Sequence, residues 1–330
     1  MRLKAIVVLV VAATFAALAS STGAQTQTLK VGLPSLSMFT IVHRVAQDLG
    51  YFDREGVKVE INHFESGSTN MKALLARAID VADVETALIL GAVGSGADLR
   101  IIGTQCQGLH FALYAKKDIN KLQDLYGRTF AISGIGGLPH VVLLALLARQ
   151  GLDADKVPLL VVGGTGARLK ALAAGKVDAT LGEFSPTIEA EPGLRRLMIV
   201  SQELPLYMAQ GLAVWGDTIP AKRDALERWQ RALVETTRWA YDHKTEFIAA
   251  ARKHVPAGDE ELGKIYDSYI QARVWAINGE IEPKRLAYMQ ELGLKTKTQA
   301  KSVNLDALVA ADVTERAIRP IGRRDYPALR

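Results

Sequence analysis

The sequence predicts an α/β fold made of two mainly parallel sheets, each flanked by helices, and finished by a helical tail. Three observations predict it. Short apolar, β-branched runs alternate with stretches of helical periodicity from Leu29 to Ser201. That alternation occurs as two successive series. Past about Asp217 the strand-like runs stop, and apolar residues recur at three- and four-residue spacing between charges.

The first series reads "LKVGL", "MFTIVHRVAQDLGYF", "VKVEINHF", "TNMKALLARA", "DVADV", "TALILGAVG" and "LRIIGTQ". Strand and helix take turns, which favours parallel neighbours joined by crossover helices. The second series begins at "GRTFAIS" and runs through "LPHVVLLALLARQG", "VPLLVVG", "GARLKALAAG", "VDATLG" and "RRLMIVS". The tail, "KRDALERWQRALVETTRWAYDHKTEFIAAARKHV", is amphipathic helix throughout, and packing is the role expected of its Trp229 and Trp239.

Composition narrows the functional class. The 330 residues are 49% hydrophobic and 23% charged, an ordinary globular balance with enough apolar mass for a large core or two medium ones. Residues 1–24 read as a secretory signal peptide: Arg2 and Lys4, then "AIVVLVVAATFAALA", then small residues Thr22 and Ala24 at −3 and −1 of a cut. An exported, periplasmic protein is expected. Removing Arg2 and Lys4 lowers the net charge from +5 to +3, too weak and scattered for a nucleic-acid surface. Cys106 is the single cysteine, so no intrachain disulfide can form. The six histidines lack metal-ligand spacing, so neither a metal nor another cofactor is expected.

The two series overlay. Residues 71–85, "MKALLARAIDVADVE", and 169–183, "LKALAAGKVDATLGE", align without a gap, matching Lys72 with Lys170, Leu74 with Leu172 and Asp80 with Asp178. Each aspartate is followed five residues later by a glutamate, Glu85 or Glu183. Two similar units facing one another would put those glutamates at equivalent strand ends.

With "GYFDREGVKVE", "INKLQDLYGRTFAIS", "AIDVADV" and "GKVDATL" in this order, the chain from about Leu29 to Pro220 resembles the solute-binding proteins of ABC importers for sulfonates, taurine, nitrate and thiamine-precursor pyrimidines. The resemblance implies the two-lobed periplasmic binding protein type 2 fold, with residues 25–112 and 213–330 in lobe one and 113–212 in lobe two. It implies crossings near "HFALYAK" and "AQGLAVW", a tail packed on lobe one, and a hinge that closes on a ligand. The implied partners are a small-molecule ligand and an inner-membrane permease, the protein itself being a monomer without a catalytic residue.

Ligands of open α/β sheets lie beyond the carboxyl ends of the strands. In lobe one that rule selects Ser35, Ser37 and Phe39, then Glu65, Ser66, Gly67 and Ser68, then Glu85 and Thr86, and Gln107 of "QCQG". In lobe two it selects Ser133, Gly134, Gly136 and Gly137, His140 on the following helix, Gly164 and Thr165, and Glu183. The Ser/Gly turns precede helices, where free N–H groups suit an anionic group; helix capping is the plainer role for Ser68, Ser133 and Thr165. "SGIGG" and "GGTGARLK" fit neither a dinucleotide fingerprint nor a phosphate loop.

Two carboxylates in one desolvating cleft repel unless a cation or hydrogen-bond donor lies between them. A ligand with donor groups, optionally with an acidic group as well, is therefore expected. Pairing of a glutamate with Arg168 is the structural alternative. Phe39, Phe64 and Phe184 flank the cleft loops and suit either ring stacking or the core; His43, inside a helix, suits surface or core. An enzyme on the same scaffold, of the thiamine-pyrimidine or menaquinone type, is the alternative function, and a sensory binding protein another. Export and the lone cysteine count against the enzyme.

Overall fold

The computed structural model describes residues 28–109 and 111–327. Residues 1–24, expected from sequence to be a signal peptide, lie outside them. Among the described residues ten strands form: β1 (Thr28–Leu33), β2 (Lys58–His63), β3 (Val81–Glu85), β4 (Leu99–Ile101), β5 (Phe111–Lys116), β6 (Phe130–Ile132), β7 (Leu159–Val161), β8 (Ala179–Glu183), β9 (Leu194–Ile199) and β10 (Gln210–Trp215). They make two five-stranded sheets, ordered β2-β1-β3-β10-β4 and β7-β6-β8-β5-β9.

The sheets share one plan. In each, four strands point the same way, and the fifth runs antiparallel between two of them. Those reversed strands are β5 and β10, the two crossings anticipated from sequence. The central pairings also match: β1 meets β3 at Val31↔Val81, and β6 meets β8 at Phe130↔Ala179.

The repeated aspartates explain why the registers match. Asp80 accepts the Lys30 N–H at 2.9 Å and the Lys222 ammonium at 2.8 Å. Asp178 does the same with the Thr129 N–H at 2.8 Å and the Lys116 ammonium at 2.7 Å. Each carboxylate thus pins the strand it precedes to its parallel neighbour, β3 to β1 and β8 to β6. A one-residue slip would turn every inward side chain outward.

Helices Gly67–Leu75 and Thr165–Ala173 occupy corresponding places, and the matched Leu74 and Leu172 are both fully buried. Asn70 on the first donates to the Asp83 carbonyl, and Arg168, at the same position of the second, donates to the Leu181 carbonyl. One structural slot therefore holds an amide in one half and a guanidinium in the other.

Every tail element is helical. Thr218–Asp242 bends at Lys222, whose ammonium also reaches the Thr28 carbonyl, tying the tail to β1. Asp259–Gln271 reaches the other sheet as well: Glu261 accepts from Ser185 at 2.9 Å and Thr187 at 3.2 Å. The core beneath includes Trp229 and Trp275, both fully buried. No described helix is long and apolar enough to cross a membrane.

Candidate functional site

The carboxyl ends of the two sheets face one another across a cleft. Its inner part is a cavity of about 40 Å³ lined by Ser35, Ser37, Phe39, Glu65, Ser66, Gly67 and Glu85 from one side and Ser133, Gly164, Thr165 and Arg168 from the other. It continues through Ser35, Ser37, Glu65, Gly164 and Thr165 into an outer groove of about 480 Å³. Leu36, Phe64, Leu169, Phe184, Val255, Pro256 and Ile265 make that groove largely apolar.

Glu85 ends β3 and is 3% exposed. Its Oε1 accepts the Leu138 N–H at 3.0 Å, at the start of helix Leu138–Arg149 in the opposite half. Its Oε2 has no partner among the described residues. Burial pushes this carboxyl up to about 7, against the backbone N–H groups of Glu85 itself and Leu138, which favour the charged form. Gly67 makes room for it, since a Cβ there would lie 1.6 Å from Oε2.

Glu183 ends β8 and is 7% exposed. Its Oε1 accepts the Phe39 N–H at 2.8 Å and the Tyr269 hydroxyl at 2.7 Å. Burial raises its carboxyl above the usual range; Tyr269, Phe39, the Ser37 hydroxyl and the charge of Arg168 oppose that rise. The Phe39 N–H, which also points to Ser37 Oγ at 3.3 Å, sits in a turn of residues 38–41, and the helix predicted from Met38 starts only at Val42.

Arg168 is 2% exposed and has no ion-pair partner among the described residues. Neutral oxygens hold it instead: Thr180 Oγ1 at 3.2 Å, Gly163 O at 2.6 Å, Thr165 Oγ1 at 3.2 Å and Leu181 O at 3.1 Å. Burial lowers its guanidinium to about 10, with Glu183 pulling the other way. A cation held by neutral acceptors beside a cavity is arranged to meet an anion.

The remaining sequence candidates lie off the cavities. Ser68 bonds Ser66 Oγ at 2.9 Å and packs against Gly134 of the other half. Gly137 abuts the Ser133 hydroxyl, while His140 Nδ1 accepts the Gly136 N–H at 3.0 Å and closes its own turn. Thr86 is buried with its N–H on Ala209 O, and Gln107 donates to the Tyr326 hydroxyl at 2.6 Å, away from the cleft. His43 is a core residue bonded to buried Asp83 at 2.9 Å and stacked on Trp229. Tyr269, Gln210 and the groove residues of the tail carried no local signal. Arg168 was visible only as a possible glutamate partner; its match to Asn70 in the overlaid halves marks it.

Among the described residues, no group of His, Cys, Asp and Glu could hold a metal ion. Two matched sheets meeting at a cleft, with polar strand ends turned inward, define a periplasmic-binding-protein type of fold. The chain belongs to the NMT1/THI5-like family, which residues 40–247 match. It is 25% identical over 304 residues to YtlA of Bacillus subtilis (strain 168), spanning 87% of this chain and 89% of that protein. It is 24% identical over 208 residues to the taurine-binding periplasmic protein of Escherichia coli (strain K12), spanning 62% and 63% of the two chains. In fold it is similar to the alkanesulfonate-binding protein SsuA of Xanthomonas axonopodis pv. citri bound to MOPS, with a TM-score of 0.71 at 18% identity, over 86% of this chain and 98% of that one.

Proposed function

We propose that this protein is the exported solute-binding component of an ABC importer, capturing a small organic acid that also carries an N–H donor and presenting it to a membrane permease. One observation carries this reading: a buried, carboxylate-free Arg168 and Glu85, which keeps one unpartnered oxygen, line the same small cavity. An acid group suits the guanidinium and the hydroxyls of Ser37 and Thr165, and an ammonium or amide suits Glu85. The inner cavity of about 40 Å³ has room for about three waters, the scale of one polar head. A body larger than that head belongs in the outer groove, whose volume of about 480 Å³ falls in the range of ordinary ligand pockets. The relative named for taurine and the fold neighbour named for alkanesulfonates support the acid head.

The two sheets are proposed as the two lobes, with β5 and β10 as the hinge strands and a monomer as the working unit. Mass spectrometry of small molecules released on denaturation, followed by calorimetric titration of taurine, 1-propanesulfonate and larger amino acids and aminosulfonates, tests the reading. Tighter binding of taurine than of 1-propanesulfonate, its near-isostere without the amine, is the expected result. Equal affinities would remove the donor requirement, and turnover of any probe would favour an enzyme.

A further inference from the structure

Phe39 and Leu138 hold equivalent positions in the two halves. Each lies eight residues beyond the first-strand member of the matched pairs Val31↔Val81 and Phe130↔Ala179. Glu85 and Glu183 each lie four residues beyond the other member. The bond from Phe39 N–H to Glu183 and the bond from Leu138 N–H to Glu85 are therefore one interaction made twice. Each crosses the cleft, one from the loop after β1 to the end of β8 and the other from the loop after β6 to the end of β3. Close approach around them needs glycine: a Cβ on Gly134 would lie 2.9 Å from Ser68 Oγ, and one on Gly136 2.9 Å from Leu88.

The two copies differ in one respect. Glu183 has a second strong donor in the Tyr269 hydroxyl, at 2.7 Å. Glu85 keeps one oxygen bare while 97% of its surface is covered, and that carboxyl lines the inner cavity. A buried carboxylate oxygen with no donor is a standing cost to the closed cleft.

We infer that the two bonds form an interlobe clasp, with Glu183 its fixed half and Glu85 its releasable half, which holds only when the second Glu85 oxygen carries a proton or meets a donor on the solute. This rests on the reading of the cleft as a solute site. Opening returns Glu85 to water, where its carboxyl regains an ordinary proton affinity, so closing the ligand-free cleft takes up a proton. Protons therefore favour closure, and closure weakens as pH rises from about 4.5 towards about 7. The titratable groups beside Glu85 are Asp83 on its own strand, which is bonded to His43, and Tyr207 on the segment before β10. Helix Gly67–Leu75 and helix Leu138–Arg149 present it with the uncharged Gly67 and Leu138. At neutral pH a solute N–H takes the place of the proton, which couples capture to closure.

Spin labels at Lys58→Cys on β2 and Lys117→Cys just past β5 of the other sheet, both exposed, report the interlobe distance without solute; Cys106, fully buried, stays unlabelled. The closed-to-open ratio should fall by about tenfold or more between pH 5 and pH 7.5. Glu85→Gln, which fixes the protonated shape, should flatten that profile and keep the cleft closed at pH 7.5. Tyr269→Phe, one atom removed from the fixed half, should lower the closed population about threefold to tenfold at every pH and leave the slope unchanged. A Glu85→Gln profile that tracks the parent, or a Tyr269→Phe distribution identical to it, would overturn the clasp. Because no solute enters this measurement, failure of the donor-acid reading shows only in the titrations, and failure of the clasp only here.

Discussion

Glu85 and Gly67 constrain each other, and a single methyl group tests that constraint. Gly67→Ala places a Cβ where the Glu85 carboxyl now sits. At this first helical position, directly after the Ser66 cap, alanine brings only part of the about 1 kcal/mol it brings a helix interior. The expected outcome is a protein as stable as the parent in thermal denaturation but about tenfold weaker in taurine titration, because the carboxyl is displaced. Glu85 also predicts a stability profile. Its native pKa lies above the unfolded value, so the folded state binds the extra proton between about pH 4.5 and 7, and stability declines as pH rises through that window. Melting temperatures of Glu85→Gln should lack this decline; an unchanged profile would assign it to other groups. For Arg168, the Lys variant keeps the charge but loses the fork that Thr180, Gly163, Thr165 and Leu181 hold. Arg168→Lys should cost at least about tenfold in affinity for a sulfonate probe, read by calorimetry. Sequence exposed Glu85 and Glu183 through their spacing from the paired aspartates. It did not expose what each carboxyl touches, since Leu138 and Phe39 lie 53 and 144 residues away in the chain.

At the scale of elements, the aspartate before each third strand does more than form a turn. Asp178 is half of a pin that the Lys116 ammonium and the Thr129 N–H complete; burial alone would raise its carboxyl, and those partners hold it below the usual range. Its contribution is therefore full above the ordinary aspartate pKa and is lost only as pH falls through the lowered one. Asp178→Asn keeps the N–H acceptor but gives up the charge, and should cost about 1–2 kcal/mol in denaturant unfolding at pH 7. Asp80→Asn, against Lys222, should cost about the same by the same measurement. The strand and helix periodicities were legible because each apolar face is fixed locally by the alternation of side chains. The start of the first helix was not: residues 38–41 continue its apolar run, yet they form a turn whose Phe39 N–H bonds across the cleft.

At the scale of the whole molecule, a solute bridging the sheets adds binding free energy to the folded state alone. At a hundredfold excess over its dissociation constant it should stabilise the protein by about 2.7 kcal/mol, seen as a raised melting temperature. The tail reaches the cleft. Helix Asp259–Gln271 sets Tyr269 edge-on against Phe39 of the first half and supplies Tyr269 to Glu183 and Glu261 to Ser185 of the second, contacts that the sequence resemblance did not include. The sequence by itself determined the α/β class, the doubled unit, the helical tail and several of the strand-end residues that line the cleft, because periodicity and a gapless repeat are local properties of the chain. Tertiary structure alone decided that Glu85 and Glu183 each bond backbone across the cleft, that Arg168 is buried without a carboxylate, and that Gln107 and His140 lie off the cavities. Those outcomes depend on which distant backbone groups approach and how much water they exclude. Burial and partnership are set by the meeting of the two sheets and are written in neither one.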